Sequence, residues 1–325
     1  MTQSRRSALG FFAGGVAAGL VGTAHGQASN WPQRAVKFVL PLGPGAGVDI
    51  GARLFAERLS TRWGKPVVVE NRPGGDGMVA INTVISANDD HTLLFTPTSS
   101  FIAHPYVHEK VPYDPKDLIP IVRVSNTLVV VAVPATQNTA TLKDLIEQVK
   151  SQPGKLNWAS TTAGNELVVQ AFLKNSGLDM TRVPYRDNVQ ALNDLAEGRI
   201  HAYVAAYAIT RPQVEAKRVK LLAITNKQRA TTAADVATVH ELGYAGLAFD
   251  GLIGLFGTRV VPEDVREKIS ADVRQIATEP LIVERLTQTG QVVSPGTAAE
   301  FAAEIEEQRG HFANVAKTLG IKAAQ

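Results

Sequence analysis

The 325-residue chain contains no cysteine. Disulfide scaffolds, thiolate zinc sites, Cys-x-x-Cys redox centres and cysteine nucleophiles are excluded together. Aromatic residues make up only 6%, few for a surface that stacks on bases or sugar rings. Net charge is lacking too: 33 basic residues against 30 acidic ones leave a formal +3, too little for a phosphate-tracking face unless clustered, and no cluster occurs. Nucleic acid is not an expected partner. No apolar run reaches the roughly 20 residues of a membrane-spanning helix.

Catalytic signatures are missing as well. There is no G-x-S-x-G elbow, no H-E-x-x-H, and no Gly-Lys-Ser/Thr to complete a P-loop. His91, His104 and His108 lie in a turn-rich stretch where no helix is expected to align them, so each reads as a surface or packing residue. Glu304, Glu306, Glu307 and Arg309 read as a solvated helix face. No metal, cofactor or catalytic residue is expected. The inventory favours binding without turnover.

The first 28 residues differ from everything after them. Arg5 and Arg6 precede an apolar run from Ala8 to Val21, and small residues follow at Ala24-His25-Gly26 or Gly26-Gln27-Ala28, the three regions of an export signal. Ser4 to Leu9 resembles a twin-arginine motif with Ala8 where Phe is favoured, so either export route fits. The expected location is the periplasm. Removing Arg5 and Arg6 with this acid-free segment leaves 31 basic against 30 acidic residues. Most of the basic balance is thus an export address.

The rest predicts an α/β protein of strand-helix alternation with mostly parallel sheets. Strands are expected at Ala35–Leu42, Val67–Val69 and Thr92–Thr96, with helices after Ile50 and from Met78 to Ala87. A long β-branched strand from Ile119 to Val133 would pass from one unit into another. Thr141 and Asp144 form a capping-box pattern for a helix reaching Ser151. The alternation then restarts: strands at Leu156–Ala159, Arg182–Tyr185, Ala202–Tyr207 and Leu221–Thr225, and helices to Asn175 and over Val189–Glu197. Phe249 to Gly257 is the candidate return crossing. Helices over Glu263–Ala277, Pro280–Thr289 and Thr297–Leu319 complete the chain. Residues 29–127 with 249–325 should form one domain, and 128–248 a second inserted into it.

Three loops carry chemistry. In Pro41–Asp49, Gly45 and Gly47 let helix-start N–H groups approach an anion closely; a purely structural turn is the other reading. A dinucleotide loop fits poorly, because the glycines miss G-x-G-x-x-G and Asp49 would face a pyrophosphate. Thr96–Phe101 and Ser160–Asn165 each place hydroxyls after a strand, where they either bind a carboxylate or cap a helix.

The strings Pro41–Asp49 and Gly64-Lys-Pro-Val-Val-Val-Glu-Asn-Arg-Pro-Gly74, followed by Tyr113-Asp-Pro115, Pro153-Gly-Lys-Leu156, Val183-Pro-Tyr185 and Ala191 to Gly198, resemble the Bug receptors. These are the extracytoplasmic substrate-binding proteins of tripartite tricarboxylate transporters. The resemblance implies a type II periplasmic-binding-protein clamshell, two α/β domains joined by two crossing strands, that delivers a small organic acid to membrane permease subunits. It implies a monomer without cofactor. By position, the ligand contacts would be Gly45, Ala46, Asp49, Thr98 and Ser99 from the first domain. The second would supply Ser160, Ala163, Asn165, Tyr185, Arg186 and His201. Arg186-Asp187 replaces the usual Lys-Gly pair, and Arg186 could pair with a second carboxylate. A sensory co-receptor and a secreted enzyme acting on carboxylates are the alternatives.

Overall fold

In strand β1 (Val36–Leu40), Val36, Phe38 and Leu40 face one apolar cluster and Val39 faces another, the two-residue alternation of a strand buried on both sides. That burial needs helices on both faces. The computed structural model, which describes residues 30–185 and 188–324, supplies them. Helix α1 (Gly47–Trp63) lays Ala52, Phe55, Ala56, Leu59 and Trp63 into the first cluster and stops at Gly64, whose φ of 64° suits a left-handed cap. Then come β2 (Val67–Asn71), α2 (Met78–Ala87), β3 (Thr92–Pro97), the single turn α3 (His104–Val107) and β4 (Ile119–Thr127).

After the fully buried Leu128, the chain enters a second lobe through β5 (Val129–Pro134). Helix α4 (Leu142–Ser151) starts with the capping box, in which the Thr141 side chain accepts from the Asp144 N–H and the Asp144 carboxylate accepts from the Thr141 N–H. Next are β6 (Asn157–Ser160), α5 (Ala163–Asn175), β7 (Thr181–Arg182), α6 (Asn188–Ala196), β8 (Ala202–Ala206), α7 (Tyr207–Glu215) and β9 (Val219–Ile224). The chain returns to the first lobe as β10 (Gly251–Gly257), followed by α8 (Glu263–Ala277), α9 (Pro280–Gln288), β11 (Gln291–Gly296) and α10 (Ala298–Leu319).

The first sheet has the order β11-β4-β10-β3-β1-β2 and the second β7-β6-β8-β5-β9. Among the described residues, five of the nine strand pairings are antiparallel, so the sheets are mixed where the alternation predicts mostly parallel ones. The strands that follow each crossing account for four of the five: β5 runs against β8 and β9, and β10 against β3 and β4. Strand β10 comes back from the second lobe between β3 and β4 and runs against both. A strand buried on both faces has the same apolar pattern in either direction. Gly254 is required there, since a Cβ would sit 2.3 Å from the Phe301 ring and 2.5 Å from the Val122 carbonyl oxygen.

Other expectations need correction. The run from Ile119 to Val133 is two strands, broken where the Leu128 N–H turns to the Gly290 carbonyl and its carbonyl accepts from Tyr207. The strand expected over Arg182–Tyr185 reduces to Thr181–Arg182. Helix α7 and strand β11 are additional. The single turn α3 holds His104, and His108 follows it as an extended C-cap residue, with the two ring centroids 5.2 Å apart. Glu306 and Glu307 are exposed on the α10 face, as expected, whereas Glu304 turns in to pair with the largely buried Arg123 of β4. No helix among the described residues is long and apolar enough to cross a membrane. The expected export segment, residues 1–28, lies outside the described residues.

The lobes share apolar packing. Leu167, Val168 and Ala171 of α5 join Phe101, Phe249 and Phe312 of the first lobe in one cluster. Both connections are tied by Asn226, 5% exposed: its Oδ1 accepts from the Val129 N–H at 2.9 Å, and its Nδ2 donates to the Thr127 carbonyl at 2.9 Å and the Asp250 carboxylate at 3.2 Å.

Candidate functional site

Where the two sheets face each other, the ends of several strands and the starts of several helices enclose a cavity of about 140 Å³. Three helix starts supply much of its wall. Ala46, Gly47 and Val48 come from α1, Thr161, Thr162 and Asn165 from α5, and Ala206, Ala208 and Ile209 from α7. No charged side chain among the described residues lines it. The first N–H groups of a helix lack intrahelical partners, and each helix start carries about half a positive elementary charge.

These starts differ in how far they are already satisfied. Ala46 and Ala206 cap α1 and α7 with no side-chain hydrogen bond, because alanine has no acceptor to offer. At α7 the Tyr207 N–H goes to the Leu128 carbonyl at 2.8 Å, so what these two starts offer a ligand is the first-turn N–H groups of α1 and those that follow Tyr207 in α7. At α5 the Thr162 hydroxyl takes the Asn165 N–H at 3.2 Å. The rest of the wall is largely apolar, with Leu42, Pro97, Val129 and Phe249. A small anion with a short aliphatic body matches this lining. Hydroxyl and amide side chains such as Ser99, Thr161 and Asn188 add neutral polar groups to the wall.

Asp49 is 2% exposed and does not line the cavity. Its carboxylate accepts from the Gly45 N–H at 2.9 Å, from Arg53 Nε at 3.1 Å and from Asn71 Nδ2 at 2.9 Å. Asn71 also donates to the Leu42 carbonyl at 2.8 Å. The loop from Leu42 to Ala46 is thereby laced to β2. Burial pushes the Asp49 carboxyl up, but Arg53, the Gly45 N–H and Asn71 together hold it below the ordinary carboxylate value. The resemblance implies a ligand contact for Asp49; in this geometry its carboxylate fixes the loop. Gly45, with φ of 83°, gives its N–H to Asp49 and also lies off the cavity wall.

Of the other sequence-expected residues, Ala46, Ser99 and Asn165 line the cavity. Thr98 is fully buried behind it and donates to Gln308 Oε1 at 2.7 Å. Ser160 donates to the Thr162 carbonyl at 3.2 Å, and neither it nor Ala163 is on the wall. Tyr185 also lies off the wall and gives its hydroxyl to Asp194 at 2.6 Å; burial and that carboxylate push its pKa up to about 12. His201 sits before β8, with Nδ1 2.8 Å from Asn157 Oδ1, at the opposite end of the strand from the cavity. Arg186 lies outside the described residues.

Sequence reasoning missed several wall residues. Gln291 of β11 donates to the Gly47 carbonyl at 2.6 Å and accepts from Ser125 at 2.6 Å, bracing the first turn of α1 from below. Thr289 and Thr127 join it, and Asn188 enters from the start of α6. The apolar start of α7 after Ala206 carries no cap residue and so gives no sequence signal.

Residues 51–321 match the family described as the tripartite tricarboxylate transporter family receptor. A Pseudomonas protein known as the UPF0065 protein in the tcbD-tcbE intergenic region is 30% identical over 280 residues, 85% of this chain and 83% of the relative. The periplasmic binding protein BugD is 25% identical, with TM-score 0.77 over 90% of this chain and 99% of that one. MatC from Rhodopseudomonas palustris with bound malate is 25% identical, TM-score 0.76, covering 88% and 99%. A further R. palustris protein, solved with adipate, is 26% identical with TM-score 0.81, covering 90% and 99%.

Proposed function

This chain belongs to the tripartite tricarboxylate transporter receptor family, and from that premise we propose that it captures a small organic carboxylate between its lobes. The observation that carries the reading is the convergence of the α1, α5 and α7 starts on a cavity without a charged side chain among the described residues. Three helix starts at about half a charge each offer roughly the charge needed to balance one carboxylate. Their N–H groups replace its hydration, and the apolar wall accepts the carbon chain. The bound adipate and malate of the two structural relatives are ligands of this chemistry.

The family is one of solute-binding receptors, and the reading extends to a monomer that works in the periplasm and hands its ligand to permease subunits in the membrane. A hydroxyl nucleophile such as Ser99 would need an adjacent base, and the described lining holds no His, Asp, Glu or Lys side chain to serve as one. Titration calorimetry of the mature chain against a panel of mono- and dicarboxylates tests the ligand class. Saturable heat with at least one carboxylate and none with neutral sugars is expected. Heat only with sugars, or product formed from any carboxylate, would sink the reading. Loss of uptake of the bound acid on deletion of the gene separates transport from sensing.

A further inference from the structure

A second cluster lies outside the cavity wall, where a loop after β2 meets helix α3. Gly74, Gly75, Asp76 and Gly77 all have positive φ, and Asp76 at φ 57° is the one non-glycine among them. This path turns the Asp76 main chain and carboxylate toward α3. His104 Nε2–H donates to the Asp76 carbonyl oxygen at 2.9 Å, and the Asp76 Oδ2 lies 3.8 Å from the same nitrogen. Just past the end of α3, His108 Nε2 is 3.5 Å from Asp76 Oδ2. One ligand atom from each of the three residues fits within 4.8 Å of the others.

His108 Nε2 is buried yet makes no hydrogen bond, although it faces the carboxylate. An imidazole nitrogen and a carboxylate oxygen that approach without a hydrogen bond are a donor set awaiting a common partner. The partner is defined by the donors. Bonds of about 2.0–2.1 Å to zinc place tetrahedral ligand atoms roughly 3.3 Å apart, so the 3.5 and 3.8 Å separations are near what such an ion needs. Two imidazoles with one carboxylate suit zinc and its transition-metal neighbours, whereas magnesium and calcium take oxygen. On the far side of His104, Nδ1 is 2.6 Å from the Tyr113 hydroxyl, the outer contact that fixes the ring of a metal-ligating histidine.

We propose that Asp76, His104 and His108 form a binding site for a divalent transition-metal ion of the zinc class, separate from the anion cavity. The ion would replace the proton that His104 Nε2 now gives to the Asp76 carbonyl, leaving His104 with its N–H on Nδ1 toward Tyr113, while His108 gives Nε2 and Asp76 gives Oδ2. The Asp76 carbonyl or a water completes the shell. The ion would pin residues 74–77 next to the ligand loops, because Gly77 packs against Pro41 and the Ser100 carbonyl.

The test is calorimetric titration of the tag-free, chelator-treated full chain with zinc chloride, alongside the absorption spectrum with cobalt(II). Expected are one saturable equivalent of zinc, a tetrahedral-type cobalt band, and no competition by magnesium. His104 is fully buried and its replacement risks unfolding. The informative variants are therefore His108→Ala and Asp76→Asn, each weakening zinc at least about tenfold, with His201→Ala as a histidine control that leaves it unchanged. No saturable zinc binding by the unaltered chain, or equal affinity in His108→Ala, overturns the proposal. Neither outcome bears on carboxylate capture, which is measured without metal.

Discussion

Ala46 is the residue at which folding and binding can be pulled apart. It caps α1 with extended backbone and no side-chain acceptor. Aspartate is among the best residues at that position, worth about 1 kcal/mol of helix stability over alanine. Ala46→Asp should therefore keep or raise the melting temperature. It would also take the free N–H groups of the first turn and set a negative charge on the cavity wall, abolishing carboxylate binding in calorimetry. Binding that survives would show the α1 start is not used. Asp49→Ala acts differently: it releases the Gly45 N–H, Arg53 and Asn71, so the loop slackens. Affinity should fall at least about tenfold, with a stability loss of about 1–3 kcal/mol from the stranded partners. The motif around Asp49 was legible in the sequence. Its role was not, because whether a carboxylate points into a cavity or back to its own loop depends on Asn71, 22 positions away.

At the scale of elements, the α1–α8 contact carries a buried carboxylate. Asp272 of α8 accepts from Trp63 Nε1 at 2.7 Å and Arg62 Nε at 2.6 Å, with Lys268 Nζ at 3.0 Å. Burial pushes its carboxyl up, but Trp63, Lys268 and Arg62 more than offset this, and its pKa lies below the ordinary value. A depressed folded pKa contributes stability that is full above the unfolded value of about 3.9 and lost as pH falls through the folded one. Asp272→Asn should thus lower stability near neutrality and flatten the loss below about pH 4, read as urea midpoint against pH. A variant as acid-sensitive as the parent would remove Asp272 from that account. The hinge is the other element-level prediction. Asn226→Ala leaves the Val129 N–H and Thr127 carbonyl without their partner, costing about 1–3 kcal/mol and raising hydrogen exchange at residues 127–129. Unchanged exchange there would mean that other contacts hold the crossing. The α1, α2, α4 and α8 helices were readable because capping and apolar spacing are local signals. Helix α7 was hidden by a proline at 212 and a small buried face.

For the molecule as a whole, the shared core predicts that the two sheets unfold together rather than as independent blocks. Phe312 of α10, fully buried, packs beside Phe249 and close to Gly164 of α5, within the cluster that spans both lobes. One cooperative thermal transition is expected for residues 31–324, shifted upward by bound carboxylate by about 2.7 kcal/mol at a hundredfold excess over Kd. Phe312→Ala should lower stability by about 3–5 kcal/mol and loosen both lobes together in hydrogen exchange. Separate transitions for the lobes would contradict the shared core.

Sequence by itself determined the two-lobed α/β plan, the glycine-rich loop before α1, the absence of cysteine chemistry and the family, because local patterning and an ordered series of motifs specify them. Tertiary structure decided which helix starts converge on the cavity, which of the expected residues line it and which stand behind it, and that β10 returns antiparallel. It also brought Asp76 against two histidines whose spacing alone named no partner. The physical reason is the same in each case. Orientation of a main-chain donor or a buried strand is set by packing between segments far apart in the chain, and side-chain identity does not encode it.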